Sequence, residues 1–198
     1  MKRKGRLPHL SEHLGRYTRT NSETLLGVRS LSAEADFTRG VAITSSVHPD
    51  ADTHVEPVRF GRGHDAMSAL VAAMTDGGKR TPRVLRWLGN EMRHPIRHLK
   101  LHNPSGWARE NVILLVMQTL DNFFHLKRSR PWFFPFAAFL STKRGPDRWH
   151  PTWLPVGNDF GRRLAKRMDG VAANVITEVT VNAPITAHIL GGCSFGPT

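Results

Sequence analysis

The chain has 198 residues, 39% of them hydrophobic, which is enough for a packed core and too apolar for a disordered tail. Its apolar runs fall well short of the ~20 residues that span a bilayer. Lys and Arg number 28 against 16 Asp and Glu, a formal net charge of +12, and a single cysteine, Cys193, excludes an internal disulfide framework.

The basic start, Met1-Lys2-Arg3-Lys4, is not followed by the apolar region of a secretory signal, so a cytoplasmic location is expected. A positive surplus suits nucleic acid or an anionic membrane surface. Here it is spread along the chain and dense only at 2–6 and 127–130. No zinc-ligand spacing, RNP-type aromatic motif or heptad accompanies it, so no nucleic-acid partner is expected. A basic face that meets another piece of protein is the expectation instead.

Residues 1–20 are polar and basic, broken by Gly5, Pro8 and Gly15. Segments 23–30 and 40–47 read as strands around a polar turn at 32–39, and 53–60 as a third strand. Met67, Leu70, Val71 and Met74 give 64–75 a helical spacing that ends at Gly77-Gly78. Val84, Leu85, Leu88 and Met92 form one stripe of a helix over 82–101, which Pro95 kinks or divides. Segment 111–121 reads as a buried strand. The aromatic stretch 130–142, interrupted by Pro131 and Pro135, is strand-like and suits core or a partner-facing surface. Val156, Phe160, Leu164 and Met168 mark a helix over 155–173, and 175–181 reads as a last strand. Together these predict an α+β fold, a largely antiparallel sheet with helices on one face. No G-x-G-x-x-G follows a strand and no Walker-type loop occurs, so the chain carries no nucleotide-binding βαβ unit of its own.

Two residues stand out as candidates for chemistry. In "THVEPVRF", His54, Glu56, Val58 and Phe60 share one face of a strand. A carboxylate beside Val58 and Phe60 is partly desolvated, which makes Glu56 a usable base near neutrality. The plainer alternative is an edge carboxylate that meets water or Arg59. In "NAPITAHILGGC", His188 precedes Gly191-Gly192, which allow close backbone approach to a flat cofactor or substrate. Imidazole is the commonest general acid/base, and Asn182 and Thr186 lie close enough in sequence to orient it. The plainer alternative is a surface or hydrogen-bonded core histidine. His94 and His98 have the i, i+4 spacing of a metal pair but no third ligand, so no metal site is expected.

The segment "TAHILGGC" resembles the His-x-Leu-Gly-Gly motif of the glucose-methanol-choline (GMC) flavoprotein oxidoreductases, in particular their actinobacterial cholesterol oxidase branch. "GRLPHLSEHLG", "TRTNSETLLGV", "GVAITSSVHPDADTHVEPVRFGRG", "VMQTLDN" and "PTWLPVGN" resemble successive blocks of that branch in the same order. The resemblance implies an FAD-dependent enzyme that oxidises a sterol or other hydrophobic alcohol, with ketosteroid isomerisation as a second step. It implies catalytic roles for His188, which faces the reactive edge of the flavin, and for Glu56, which moves a proton during isomerisation. Gly191 and Gly192 then pass close to the cofactor. It also implies peripheral contact with membrane lipid.

The family opens with a G-x-G-x-x-G fold and continues beyond His-x-Leu-Gly-Gly through a segment with a catalytic asparagine; this sequence has neither, and Ile189 stands where many relatives have proline. The expectation is a substrate-domain fragment. Residues 1–22 lead out of the FAD domain, 23–187 form the substrate-binding domain, and 188–198 begin the return to the flavin site. The missing FAD domain is the expected protein partner. The alternatives are a non-catalytic sterol- or lipid-binding module and an inactive gene remnant.

Overall fold

A computed structural model describes residue 5 and residues 9–132, 135–144 and 150–193. In chain order the strands are β1 (Thr18–Thr20), β2 (Thr24–Ser30), β3 (Thr53–Val58), β4 (Val71–Ala73), β5 (Asn111–Gln118), β6 (Phe124–Ser129), β7 (Phe139–Arg144), β8 (Gly170–Val175) and β9 (Ile189–Gly191). The α-helices are α1 (Arg83–Arg93), α2 (Pro95–His102), α3 (Trp107–Glu110), α4 (Pro155–Arg167) and α5 (Ile176–Thr180). The chain divides into two units, each with its own antiparallel sheet.

The larger unit comprises Ser22–Thr119 and Pro151–Thr186. Its five strands run in the order β3-β5-β2-β8-β4, every pair antiparallel. The inner strands β5 ("NVILLVMQ") and β2 ("TLLGVRS") are apolar at consecutive positions because both of their faces are covered. On one face Leu26, Val28, Val55, Leu114 and Val116 pack under α4, with Phe160, Leu164 and Ala165. Gly157 and Gly161 let that helix approach closely: a β-carbon on Gly157 would lie 3.1 Å from Val116 and 3.2 Å from Leu26. On the opposite face Val71, Ala73, Val171 and Ala173 pack against Leu101, Trp107 and Ala108 of α2 and α3. The α+β class and the antiparallel sheets are as expected. The helices, however, cover both faces of this sheet rather than one, because alternate side chains of β2, β5 and β8 are apolar on both sides.

Several element boundaries differ from the sequence reading. Segment 64–75 is a short 3-10 helix, Asp65–Leu70, followed by strand β4; Val71 and Ala73 pair across to Val175 and Ala173. The predicted helix 155–173 stops at Arg167. Asp169, at φ +45°, then turns the chain into β8, and the predicted strand 175–181 is the short helix α5. Segment 40–47 makes only isolated bridges, Ile43 to Val58 and Val47 to Val55. Pro95 divides 82–101 into α1 and α2. The stripe Leu85, Leu88 and Met92 faces solvent, while Arg83 is buried and Trp87 packs on the core.

The smaller unit comprises Met1–Asn21, Leu120–His150 and Ala187–Thr198. Its sheet runs β7-β6-β1-β9. Gly15 links two of its parts: its N–H donates to Gly192 O at 2.6 Å and its carbonyl accepts from Leu126 N at 2.7 Å. The predicted strand-like stretch 130–142 resolves into the end of a hairpin between β6 and β7; residues 133–134 lie outside the described ones.

Candidate active site

Glu56 sits at the centre of β3, the edge strand of the larger sheet. Period-two alternation sends Thr53 and Val55 inward beneath α4 and leaves His54, Glu56 and Val58 half-buried on the other face. Across the ladder Glu56 pairs with Leu115, and Leu115 with Leu25 of β2. Leu25 and Leu115 are also half-buried, so this end of the sheet face is an apolar floor less completely covered than the end beneath α2 and α3. The Glu56 carboxylate lies 3.9 Å from His54 Nε2, with about a quarter of each side chain exposed. His54 in turn lies beside His48, the rings tilted by 33° with centroids 5.7 Å apart. Phe60, expected beside Glu56, lies past the end of β3, against His64 at 5.5 Å and Trp107 at 5.9 Å. The apolar neighbours of Glu56 on the sheet are therefore Val58 and Leu115.

His188 immediately precedes β9 in the smaller unit, and its side chain is exposed. Strand β9 runs antiparallel to β1, with Thr20 opposite Ile189, Arg19 opposite Leu190 and Thr18 opposite Gly191. Ile189 and Leu190 are exposed too. The glycine pair has a demonstrable local cause. Gly191 and Gly192 have φ of +80° and +74°, the left-handed region that L side chains avoid. A β-carbon on Gly191 would lie 2.7 Å from Tyr17 O, and one on Gly192 would lie 2.5 Å from Thr18 Oγ1. Of the two residues expected to orient the imidazole, Thr186 donates its hydroxyl to Glu23 Oε2 at 2.9 Å, and Asn182 is exposed with φ +55°.

Three polar clusters escaped sequence reasoning. Glu178 is fully buried, and Arg83 reaches its Oε1 at 2.9 Å while Thr24 donates to its Oε2 at 2.5 Å. Burial pushes the Glu178 carboxyl up, against the opposing pull of Thr24 and Arg83. Burial also raises the Asp76 carboxyl, but bonds from Asn158 and Arg162 outweigh it and hold that group below its usual value. Glu91 gathers Trp87 Nε1 at 2.6 Å, His98 Nδ1 at 3.0 Å and His102 Nε2 at 3.4 Å. Burial lowers the His98 imidazole despite the pull of Glu91. Of the i, i+4 pair, His98 joins this carboxylate-centred cluster, while His94 meets the His98 ring edge to face, centroids 6.0 Å apart. Among the described residues no group of three or more His, Cys, Asp or Glu is placed to hold a metal ion.

The chain is 44% identical over 204 residues to the cholesterol oxidase of Mycobacterium tuberculosis, in both strain CDC 1551 and strain H37Rv; the match takes in 99% of this chain and 34% of that protein. It is 39% identical over 194 residues to the cholesterol oxidase of Acinetobacter baumannii, covering 98% of this chain and 34% of the relative. No family model and no solved structure matches it. These relatives are all cholesterol oxidases, and the chain, similar to them over nearly all of its own length, spans about a third of theirs.

Proposed function

We propose that the chain is the substrate-binding portion of an FAD-dependent oxidase that converts the 3β-hydroxyl of a sterol to a ketone and then isomerises the product. The observation that supports this most is the continuous similarity to cholesterol oxidases, which takes in 99% of the chain and so reaches both candidate residues. The half-open apolar floor of Leu25, Leu115 and Val58 suits one side of a rigid hydrophobic ring system, with the Glu56 carboxylate as its polar centre.

The residues present fit only part of the cofactor. Strand β9 is a sheet edge with exposed apolar side chains and an exposed imidazole at its start, which suits the rim of a planar ring. No motif in the sequence suits the dinucleotide half, whose pyrophosphate needs a glycine-rich loop at a helix N-terminus. Bound flavin supplies a hydride acceptor. His188 accepts the hydroxyl proton of the substrate as its carbon gives up hydride, and holds that oxygen in line by hydrogen bonding. Glu56 takes a proton from the carbon between the new ketone and the double bond, then returns it to the far carbon of the original double bond, which leaves the new double bond conjugated with the ketone. The apolar floor keeps water from competing for the proton that Glu56 carries.

The test replaces the matching third of a full-length cholesterol oxidase with this chain and reads two signals, hydrogen peroxide for oxidation and conjugated-enone absorbance for isomerisation. Glu56→Gln is expected to slow the second signal far more than the first. Unchanged isomerisation in that variant rejects the role of Glu56, and absence of both signals in a folded, flavin-loaded chimera with Glu56 and His188 intact rejects the enzymatic reading.

A further inference from the structure

We propose that His54 and His48 form a relay that carries a proton between the Glu56 carboxylate and solvent. The relay rests on the reading of Glu56 as the isomerising base and gives that base an exit for its proton. The segment before β3 builds the path. Val47 and Val55 exchange both of their backbone hydrogen bonds, at 2.9 and 2.8 Å. In an antiparallel ladder the pairs flanking such a pair hold their side chains closest, with Cα atoms about 4.5 Å apart. Continued by one residue each way, this register sets His48 opposite His54 and Ser46 opposite Glu56, all four on one face.

The side chains follow that register. His54 Nε2 lies 3.9 Å from Glu56 Oε1, the His48 ring centroid lies 5.7 Å from that of His54, and Ser46 Oγ lies 3.4 Å from His48 Nε2. A gap of 3.9 Å closes through one bridging water or a small turn of either side chain. Exposure rises along the same path: Glu56 and His54 are half-buried, His48 and Ser46 exposed. On the other side β5 sets Met117 opposite His54 and Leu115 opposite Glu56, and neither carries a proton.

Imidazole suits this place because it takes a proton at one ring nitrogen and releases one from the other near neutral pH. A rigid apolar ring system lying over Leu25, Leu115 and Val58 covers Glu56 and closes its direct path to water, whereas His48 stays outside on the neighbouring segment. While Glu56 holds the proton taken from the carbon between ketone and double bond, the electron pair rests on the dienolate of the steroid. His54 Nε2 accepts that proton, and a second leaves Nδ1 for His48 or water. The reverse sequence delivers a solvent proton to Glu56, which places it on the far carbon of the original double bond. One solvent proton replaces one substrate proton, and no charge is left over. His54 thus acts through Glu56 and not on the sterol itself.

The experiment supplies an unconjugated 5-en-3-one steroid in heavy water to a full-length cholesterol oxidase carrying this chain, so that no oxidation step intervenes. Deuterium at the far carbon of the original double bond is read early in the reaction. The parent chimera should incorporate it. His54→Ala should lower incorporation per turnover about tenfold, less than the ~100-fold or more of a group that meets the substrate. Added imidazole should restore it in His54→Ala and not in His54→Gln, whose side chain fills the site but cannot pass a proton. His48→Ala should lose less than His54→Ala, because His54 itself is partly exposed. Circular dichroism and bound flavin check that each variant is folded. A parent that isomerises without taking up solvent deuterium overturns the relay alone. So do unchanged incorporation in both His54 variants, a loss in His54→Ala that imidazole does not restore, and normal incorporation in His54→Gln. A folded, flavin-loaded parent that leaves the ketone unconjugated overturns the role of Glu56, and the relay with it.

Discussion

Gly192 lies so close to Thr18 that a β-carbon on the glycine would sit 2.5 Å from the threonine hydroxyl oxygen. The neighbouring contact differs in kind: a β-carbon on Gly191 would meet the Tyr17 carbonyl oxygen, a backbone atom, at 2.7 Å. Both glycines also need a left-handed backbone, which costs an L residue about 1–2 kcal/mol. Gly192→Ala should therefore destabilise the smaller unit by roughly 2–4 kcal/mol, the sum of backbone strain and overpacking. Thr18→Ala removes the obstructing oxygen and should recover about 1 kcal/mol or more of that loss, whereas it should recover nothing in Gly191→Ala. Hydrogen exchange of the β1 and β9 amides in the three single and two double variants reads both couplings. Equal rescue of the two glycine variants would mean that the strand shifts as a whole rather than meeting one oxygen.

The buried pair Arg83 and Glu178 in the larger unit allows a second test. Besides the 2.9 Å contact to the carboxylate, Arg83 donates to Thr75 O at 2.7 Å and to Glu178 O at 3.2 Å, so its removal strands several acceptors. Arg83→Met should cost about 3–5 kcal/mol, as expected when one member of a buried pair is left uncompensated. The loss should depend on pH. Burial already raises the Glu178 carboxyl, and Arg83 is one of two groups opposing that rise. Without Arg83 the folded-state value moves further above the unfolded one. Such a group stabilises fully below its unfolded value and ceases to as pH rises through its folded value. Urea unfolding should therefore show a smaller Arg83→Met deficit at mildly acidic pH than at neutral pH, and a deficit that grows on acidification contradicts this account.

Sequence patterns disclosed the strands that are buried on both sides and missed the places where tertiary pairing overrides spacing. Strands β2, β3 and β5 were legible because long apolar or alternating runs have few other ways to bury themselves. Val71 and Met74 fit a helix by spacing, but Val71–Ala73 completes the edge of a sheet whose next strand lies about a hundred residues on. On α1 the apolar stripe was visible and its direction was not: Trp87 and the guanidinium of Arg83 found partners in the core, and Leu85 and Met92 did not. His188 and Glu56 were singled out through local motif and alternation. The contact of Gly192 with Thr18 had no local signal, since the two residues are far apart in sequence and are brought together only by the β1–β9 pairing.

Acid should weaken both units in the range just below pH 6.5. His98 in the larger unit is held below its ordinary value of 6.5 first by burial, with Glu91 pulling the other way and His94 and His102 adding to the depression. His150 in the smaller unit is lowered by burial alone, and its Nε2 lies 2.7 Å from Thr20 Oγ1. In each case the unfolded chain binds the proton more readily than the folded one, so stability falls as pH drops from 6.5 toward the folded value and is flat above 6.5. His98→Gln should flatten that decline for amides of the larger unit, and His150→Gln for those of the smaller, as read by hydrogen exchange across a pH series. A second decline belongs to Asp76: its value is depressed below 3.8, so its stabilising bonds are lost only as pH falls beneath that point. Stabilisation on acidification through pH 6 would show that the attraction of Glu91 for a charged His98 exceeds its burial cost.

His188 separates chemistry from architecture because its side chain is exposed while the glycines just beyond it are sterically committed. In a full-length cholesterol oxidase carrying this chain, His188→Ala should leave the melting temperature nearly unchanged, since truncating an exposed side chain removes little packing. Turnover should fall by ~100- to 10,000-fold, the usual contribution of a positioned acid/base group. His188→Gln keeps a hydrogen-bond donor at similar reach and should lose less than His188→Ala. Both kcat and kcat/KM should drop together, because the imidazole holds the substrate oxygen more strongly as its proton leaves than in the bound alcohol. Gly192→Ala supplies the contrast: it should lower the melting temperature, and turnover only in proportion to the protein that remains folded. Full turnover in a stable His188→Ala enzyme would make the imidazole a bystander on an edge strand. A shared loss of stability and activity in the histidine and glycine variants alike would assign the whole motif to folding.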